Sequence, residues 1–240
     1  MDLLDDVIGA YGGVERWRRI DAISVHQRVG GVLWALKGVD GIINDSTVEI
    51  RLPEQRTWLR PAPTPGTRLS FSPDRVAIES DEPEPRTVEE LTTPRNSFAG
   101  HVLETPWSTV QLAYFSGYAM WTYLSEPYSL TLPGVYTEQL STWHEDGETW
   151  RRLAVRYPDA IATHSAHQVL YIDADGLIRR RDYSVEISAN SPAAHYSSDF
   201  LTVDGIVLPT KRVVYGRDVT GHRVEEPVLV SIDLDNVKVS

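Results

Sequence analysis

Apolar and polar positions alternate along most of the chain. In Ser46–Arg51, Val48 and Ile50 fall on one side and Thr47, Glu49 and Arg51 on the other. In Arg75–Ser80, Val76 and Ile78 alternate with charged residues, and in Glu226–Val239, Val228, Val230, Ile232 and Leu234 do the same. Period-two alternation bounded by turn residues predicts half-buried β-strands. Further strands are expected over Ser24–Leu36, bent at Gly30-Gly31, and over Arg56–Arg60, Thr67–Ser72, Tyr128–Leu132 and Val135–Leu140. Trp143 and Trp150 flank an Asp146-Gly147 turn. Ile161–Asp173 and Leu177–Ile187 flank Asp175-Gly176, and His195–Val203 and Ile206–Tyr215 flank Asp204-Gly205. Dipeptides of this kind suit tight hairpin turns.

Two segments break the alternation. Leu3, Leu4, Val7, Ile8 and Tyr11 share one helical face, and Gly12-Gly13 stops that helix. Val14–Arg19 adds a turn or two, so residues 1–20 are read as an N-terminal helical segment. Thr105–Ser125 contains no charged residue. Thr105 suits an N-cap and Pro106 the first helical position, which predicts a helix over 106–123. Its length approaches that of a membrane span, but Ser108, Thr109, Gln111, Ser116, Gly117 and Thr122 argue for a helix buried in protein. Residues 61–94 hold 7 of the 15 prolines and are read as edge strands and long loops rather than a linker. The acidic stretch Glu79–Glu90 is read as a solvated loop.

About ten strands and two clear helices predict a mainly β (α+β) chain: a single curved antiparallel sheet or incomplete barrel over residues 1–240, filled by the uncharged helix. The formal charge of −11 argues against nucleic acid and anionic membrane surfaces as partners. The lack of cysteine excludes disulfides, thiolate nucleophiles, Cys-ligated zinc and a lipidated N-terminal cysteine. No signal peptide is visible after Met1, so a cytoplasmic location is expected if Met1 is the native start.

Several stretches are familiar together: Ala10-Tyr11-Gly12-Gly13 with Trp17, the run from His101 to Pro127, Ile161–Ser165, Tyr171–Tyr183 and Asp204–Arg212. On these the chain resembles a bacterial family associated with the LolA/LolB lipoprotein-carrier fold. The resemblance implies an incomplete antiparallel barrel closed by helices and lined with apolar side chains that hold acyl chains. The carriers work in the periplasm or at the outer membrane, and this chain is expected to depart from them, since its sequence shows no visible leader and no cysteine.

Candidate site residues come from the sequence itself. Trp107, Tyr114, Tyr118 and Trp121 share one face of the predicted helix, with Leu112, Phe115 and Ala119 on another. Large rings with polar tips suit a cavity wall, and His101 and Arg180 are added as candidate ligand contacts. In Arg179–Tyr183, Arg180 and Asp182 share one strand face and must pair if buried. A His164–Asp182 couple beside Tyr183, with His195, is the candidate acid–base set. His164 and His167 point to opposite strand faces, and ligand spacing disfavours a zinc site from His101, His164 and His195. No phosphate loop, dinucleotide fingerprint, nucleophile elbow or metalloprotease motif is present. The leading expectation is a protein without cofactor that binds a hydrophobic small molecule, a lipid or polyketide-like metabolite, between sheet and helix. The alternative is a cofactor-independent cyclase, isomerase or hydrolase acting in the same cavity.

Overall fold

The computed structural model describes residues 2–240. Helix α1 (Leu3–Ala10) and the short turns α2 (Val14–Trp17) and α3 (Leu33–Leu36) precede or interrupt the first strands. Strands β1 (Ala22–Gly30), β2 (Asp45–Arg51), β3 (Arg56–Arg60), β4 (Thr67–Ser72), β5 (Arg75–Ser80) and β6 (Thr87–Thr92) form one antiparallel meander. Helix α4 (Thr109–Ser125) leads to a second meander: β7 (Tyr136–Glu145), β8 (Glu148–Arg156), β9 (His167–Ile172), β10 (Ile178–Val185), β11 (Ser191–Val203) and β12 (Ile206–Arg217). The two-residue β13 (Arg223–Val224) pairs with β12, and β14 (Val230–Val239) joins the halves by pairing with β1 and β12.

The result is one open antiparallel sheet of 14 strands, ordered β6-β5-β4-β3-β2-β1-β14-β12-β11-β10-β9-β8-β7, with β13 off this path. The chain leaves the sheet at the β6 edge and re-enters at the opposite edge, β7, so the connection must cross one face. Helix α4 makes that crossing. Tyr114 packs on Phe71 of β4, at 5.8 Å between ring centres, and Tyr123 hydrogen-bonds Tyr183 of β10. Those strands lie seven steps apart. Seven steps would span roughly 34 Å if the sheet were flat, whereas Tyr114 and Tyr123 lie only about 14 Å apart along the helix axis. Both contacts require the sheet to wrap around the helix.

Four sequence expectations need correction. The strand total exceeds ten partly because Thr87–Thr92, inside the acidic stretch expected to be a loop, pairs with β5 as an edge strand. Its side chains are nearly all exposed, so no burial alternation marks it. Tyr128–Leu132 contributes a 3₁₀ turn, not a strand. Leu33–Leu36 turns helically once the chain has bent at Gly31, where φ is +101° and Leu229 approaches too closely for a Cβ. Finally, the long helix starts at Thr109 rather than Pro106. Ser108 and Gln111 form a capping box, with Ser108 Oγ accepting from Gln111 N and Gln111 Oε1 from Ser108 N. That reciprocal pair satisfies two backbone donors, which Thr105 does not do for this helix.

Gly117 brings α4 against β4. A Cβ there would overlap the Phe71 side chain, and Thr57 Oγ1 donates to Gly117 O at 2.9 Å. Gly117→Ala is expected to destabilise by about 1–3 kcal/mol through overpacking, although alanine is the better helix former. Gly9→Ala in α1, where a Cβ meets nothing within 4 Å, is expected to stabilise by about 0.5–1 kcal/mol. Paired thermal melts check the opposite signs.

Candidate functional site

Between α4 and the β1–β14–β12–β11–β10 part of the sheet lies a cavity of about 60 Å³. Strand alternation aims Val29, Ile232, Val214 and Ala193 into it, and α4 contributes Phe115, Ser116, Ala119, Met120 and Tyr123. Among the described residues no charged side chain lines it. A dry cavity of about 150 Å³ holds benzene, so this space admits only a few carbon atoms without movement of its walls.

Lys37 holds one end of the site. Its buried Nζ donates to Val102 O at 3.2 Å and to Thr105 O and Ser188 Oγ at 3.3 Å each. It also sits 4.6 Å from the Trp107 ring centre. This clasp fixes the segment that presents Leu103 and Trp107 to the cavity. Burial lowers the ammonium pKa to about 8, with Glu104 acting in the opposite direction.

Behind Tyr123 and Tyr183, both of which line the cavity, lies a buried polar layer. His164 Nδ1 is 3.1 Å from Tyr118 Oη and its Nε2 is 2.7 Å from Tyr123 Oη. Its ring stacks on Tyr183 at 4.2 Å, and Tyr123 and Tyr183 hydroxyls are 3.3 Å apart. His195 packs edge-on to Tyr123 at 4.6 Å between ring centres and lies 3.4 Å from Arg212. Burial pushes both histidines well below the usual imidazole pKa, reinforced for His164 by Arg181 and Arg95 and for His195 by Arg212 and Arg181. Burial likewise pushes the Tyr183 hydroxyl far up. Arg181 pairs with Glu126 at the end of α4 and donates to Gln168 at 3.0 Å. Arg212 donates to Tyr123 O at 2.8 Å and Ser197 Oγ at 3.2 Å, with no carboxylate within ion-pair distance among the described residues.

The acid–base candidates are therefore divided. His164, Tyr183 and His195 converge around Tyr123, but Asp182 does not join them. On β10, Arg181 and Tyr183 face α4, so Arg180 and Asp182 project from the opposite face. Both are buried there and paired, with Arg180 Nε 2.7 Å from Asp182 and Tyr171 Oη donating to Asp182 at 2.8 Å. Arg180 also pairs with Glu145 and lies 4.6 Å from the Tyr171 ring centre. The expected His164–Asp182 couple is not formed. His164 also precedes β9 instead of lying within it, and both its ring nitrogens are occupied by tyrosine hydroxyls.

Of the expected ligand contacts, only Trp107 lines the cavity. Tyr118 turns to His164. Tyr114 lines a separate polar cleft with Arg95, Asp159 and Glu186. Trp121 donates to Arg51 O at 2.7 Å, on the other side of α4. His101 packs on Phe98 beside a surface cleft, and Arg180 is on the far sheet face. The wall of α4 that meets the cavity is the Phe115–Ala119–Tyr123 face. Sequence reading missed Gln27, Lys37, Ser116, Tyr123 and Glu126. Two carried a signal: Lys37 interrupts the apolar run Val32–Val39, and Glu126 is the first charge after the long neutral stretch. Among the described residues no group of three or more His, Cys, Asp or Glu is placed to hold a metal ion. No helix among them is long and apolar enough to cross a membrane.

No protein-family model matches the chain. No curated protein sequence matches it either. Solved structures do. A domain from Vibrio parahaemolyticus named for outer membrane lipoprotein sorting is similar with a TM-score of 0.51 and 10% identity, over 99% of this chain and 91% of its own. A DUF1329 family protein from Desulfovibrio piger gives a TM-score of 0.49 and 13% identity, over 99% and 92%. A LolA superfamily protein from Nitrosomonas europaea gives 0.48 and 13%, over 95% and 91%. The chain shares the lipoprotein-carrier fold, as its sequence motifs imply, along nearly its whole length.

Proposed function

We propose that this chain binds a hydrophobic small molecule, a lipid or polyketide-like metabolite, between α4 and the concave face of the sheet. The observation that carries this reading is the uncharged wall of a cavity enclosed by a sheet that wraps its own helix. Buried apolar surface contributes about 25 cal/mol per Å², so displacing Met120 and Leu103 to admit an alkyl chain is offset by the area the chain covers. The space of about 60 Å³ is then the closed state of the site, and binding enlarges it.

Ala119 faces this space from the middle of α4. Fluorescence titration with N-phenyl-1-naphthylamine is expected to show saturable micromolar binding, and Ala119→Leu, which fills the void, is expected to weaken it at least tenfold. The same variant should melt within a few degrees of the parent. Absence of saturable binding by the parent protein would remove the proposal.

A further inference from the structure

The polar groups on the cavity wall can be accounted for one by one. Trp34 Nε1 donates to Gly30 O at 2.9 Å, Ser188 Oγ accepts from Lys37, and Ser191 Oγ donates to Ser188 O at 2.5 Å. Tyr123 and Tyr183 are engaged with His164 and with each other. Three lining groups are left with no protein partner although each is buried: Gln27 Oε1, Trp107 Nε1 and Ser116 Oγ. Their residues are 1%, 6% and 4% exposed.

The orientation of the Gln27 amide is fixed by chemistry. Its Nε2 lies 3.3 Å from Ile43 O and 3.0 Å from Ser46 Oγ. A carbonyl can only accept, so the amide nitrogen must face it and the amide oxygen must face away. The residues of the wall thus carry one obligate acceptor, Gln27 Oε1, one obligate donor, Trp107 Nε1, and one hydroxyl capable of either role, all without a protein partner. Leaving such groups unmet costs about as much as a lost hydrogen bond each.

Resting on the hydrophobic-ligand reading above, we infer that the cavity recognises the hydroxyl group of a neutral, otherwise apolar molecule: an apolar alcohol. A hydroxyl donates once and accepts, so it satisfies Gln27 Oε1 and one of the two donors together. An ether or ketone only accepts and leaves Gln27 Oε1 unmet. A carboxylate cannot donate either, and it would be buried against a wall with no charged side chain. The Lys37 ammonium does not alter this, because its three donors are already taken by Val102 O, Thr105 O and Ser188 Oγ.

The test displaces N-phenyl-1-naphthylamine from the full chain with three matched probes: 1-decanol, decyl methyl ether and decanoate. The inference expects decanol to bind about tenfold or more tightly than the ether, with decanoate no better than the ether. Gln27→Leu should bring decanol down to the ether's affinity while leaving the ether unchanged. If Gln27→Leu does not fold, Gln27→Met, which keeps an unbranched side chain and removes the amide oxygen, should close the same gap. Equal affinities for alcohol and ether in the parent overturn the inference while leaving the hydrophobic-ligand reading intact, as does a gap untouched by the variant that folds. Tightest binding by decanoate overturns it in favour of an acidic ligand. Failure of the naphthylamine and all three probes to bind removes both.

Discussion

Glu126→Gln is expected to lower the free energy of unfolding by about 3–5 kcal/mol, the loss seen when one partner of a buried ion pair is deleted. Glu126 closes the end of α4 and pairs with Arg181, both side chains being almost fully buried. Arg212 lies nearby, held by the Tyr123 carbonyl, Ser197 and His195, but by no carboxylate within ion-pair distance among the described residues. One carboxylate therefore offsets two buried guanidinium groups. Burial lowers the Arg212 pKa and the charge of Glu126 opposes that shift. Glutamine keeps the shape and removes the charge, leaving both cations uncompensated. Natural domains have about 5–15 kcal/mol of stability, so this variant sits near the threshold of folding. Urea unfolding at pH 7 measures the loss. The double variant Glu126→Leu, Arg181→Leu should recover part of it, because the pair is removed together. A Glu126→Gln loss below about 1 kcal/mol would show that solvent reaches the pair and that the layer is not a closed one.

How far the sequence could be read depended on whether burial differed between faces. Val48 and Ile50 alternate with exposed or half-buried neighbours, and β2 lies where the pattern places it. The Asp146-Gly147 and Asp204-Gly205 turns lie between the strands they were expected to join, with φ positive at all four residues. Helix α4 was legible as an element because of its neutrality, but its orientation was not. All of its residues from Leu112 to Ser125 are buried, and a helix buried on every side has no stripe to mark which face meets a cavity. The aromatic spacing accordingly misplaced Tyr114, Tyr118 and Trp121, while Trp107, which precedes the helix, does line the cavity. The same limit governed β10, where Arg180 and Asp182 are buried on one face and Arg181 and Tyr183 on the other. Alternation correctly separated the two pairs. It carried no information about which pair faces α4, because the outer face is also buried, by Trp143, Tyr171 and Tyr196 from other strands, and β10's own pattern does not show that cover.

The two buried imidazoles should dominate the acid limb of the stability curve. In the folded chain His164 and His195 have pKa values well below 6.5, burial being the first cause in each case. In the unfolded chain they titrate near 6.5. Their contribution is therefore fully present above pH 6.5 and is lost as pH falls toward their folded values, because only the unfolded state takes up these protons. Linkage gives a loss of about 1.4 kcal/mol per pH unit for each histidine once the pH is well below 6.5, or about 2.7 for the pair. His26 acts in the opposite direction: hydrogen bonding to Asp45 raises its pKa, so its contribution is present below 6.5 and fades as pH rises through its folded value. His101, lowered by burial and then by Lys37, adds to the acid loss. Comparing the parent with a His164→Phe, His195→Phe variant cancels both of those terms. Urea unfolding between pH 7 and pH 5 should show the parent losing stability more steeply than the variant by roughly 2–3 kcal/mol per unit at the acid end. Parallel curves would mean that both rings take up protons in the folded state. His164 would then have to donate from both nitrogens to Tyr118 and Tyr123, and the layer behind the cavity would be a hydrated, titrating network in place of a neutral one.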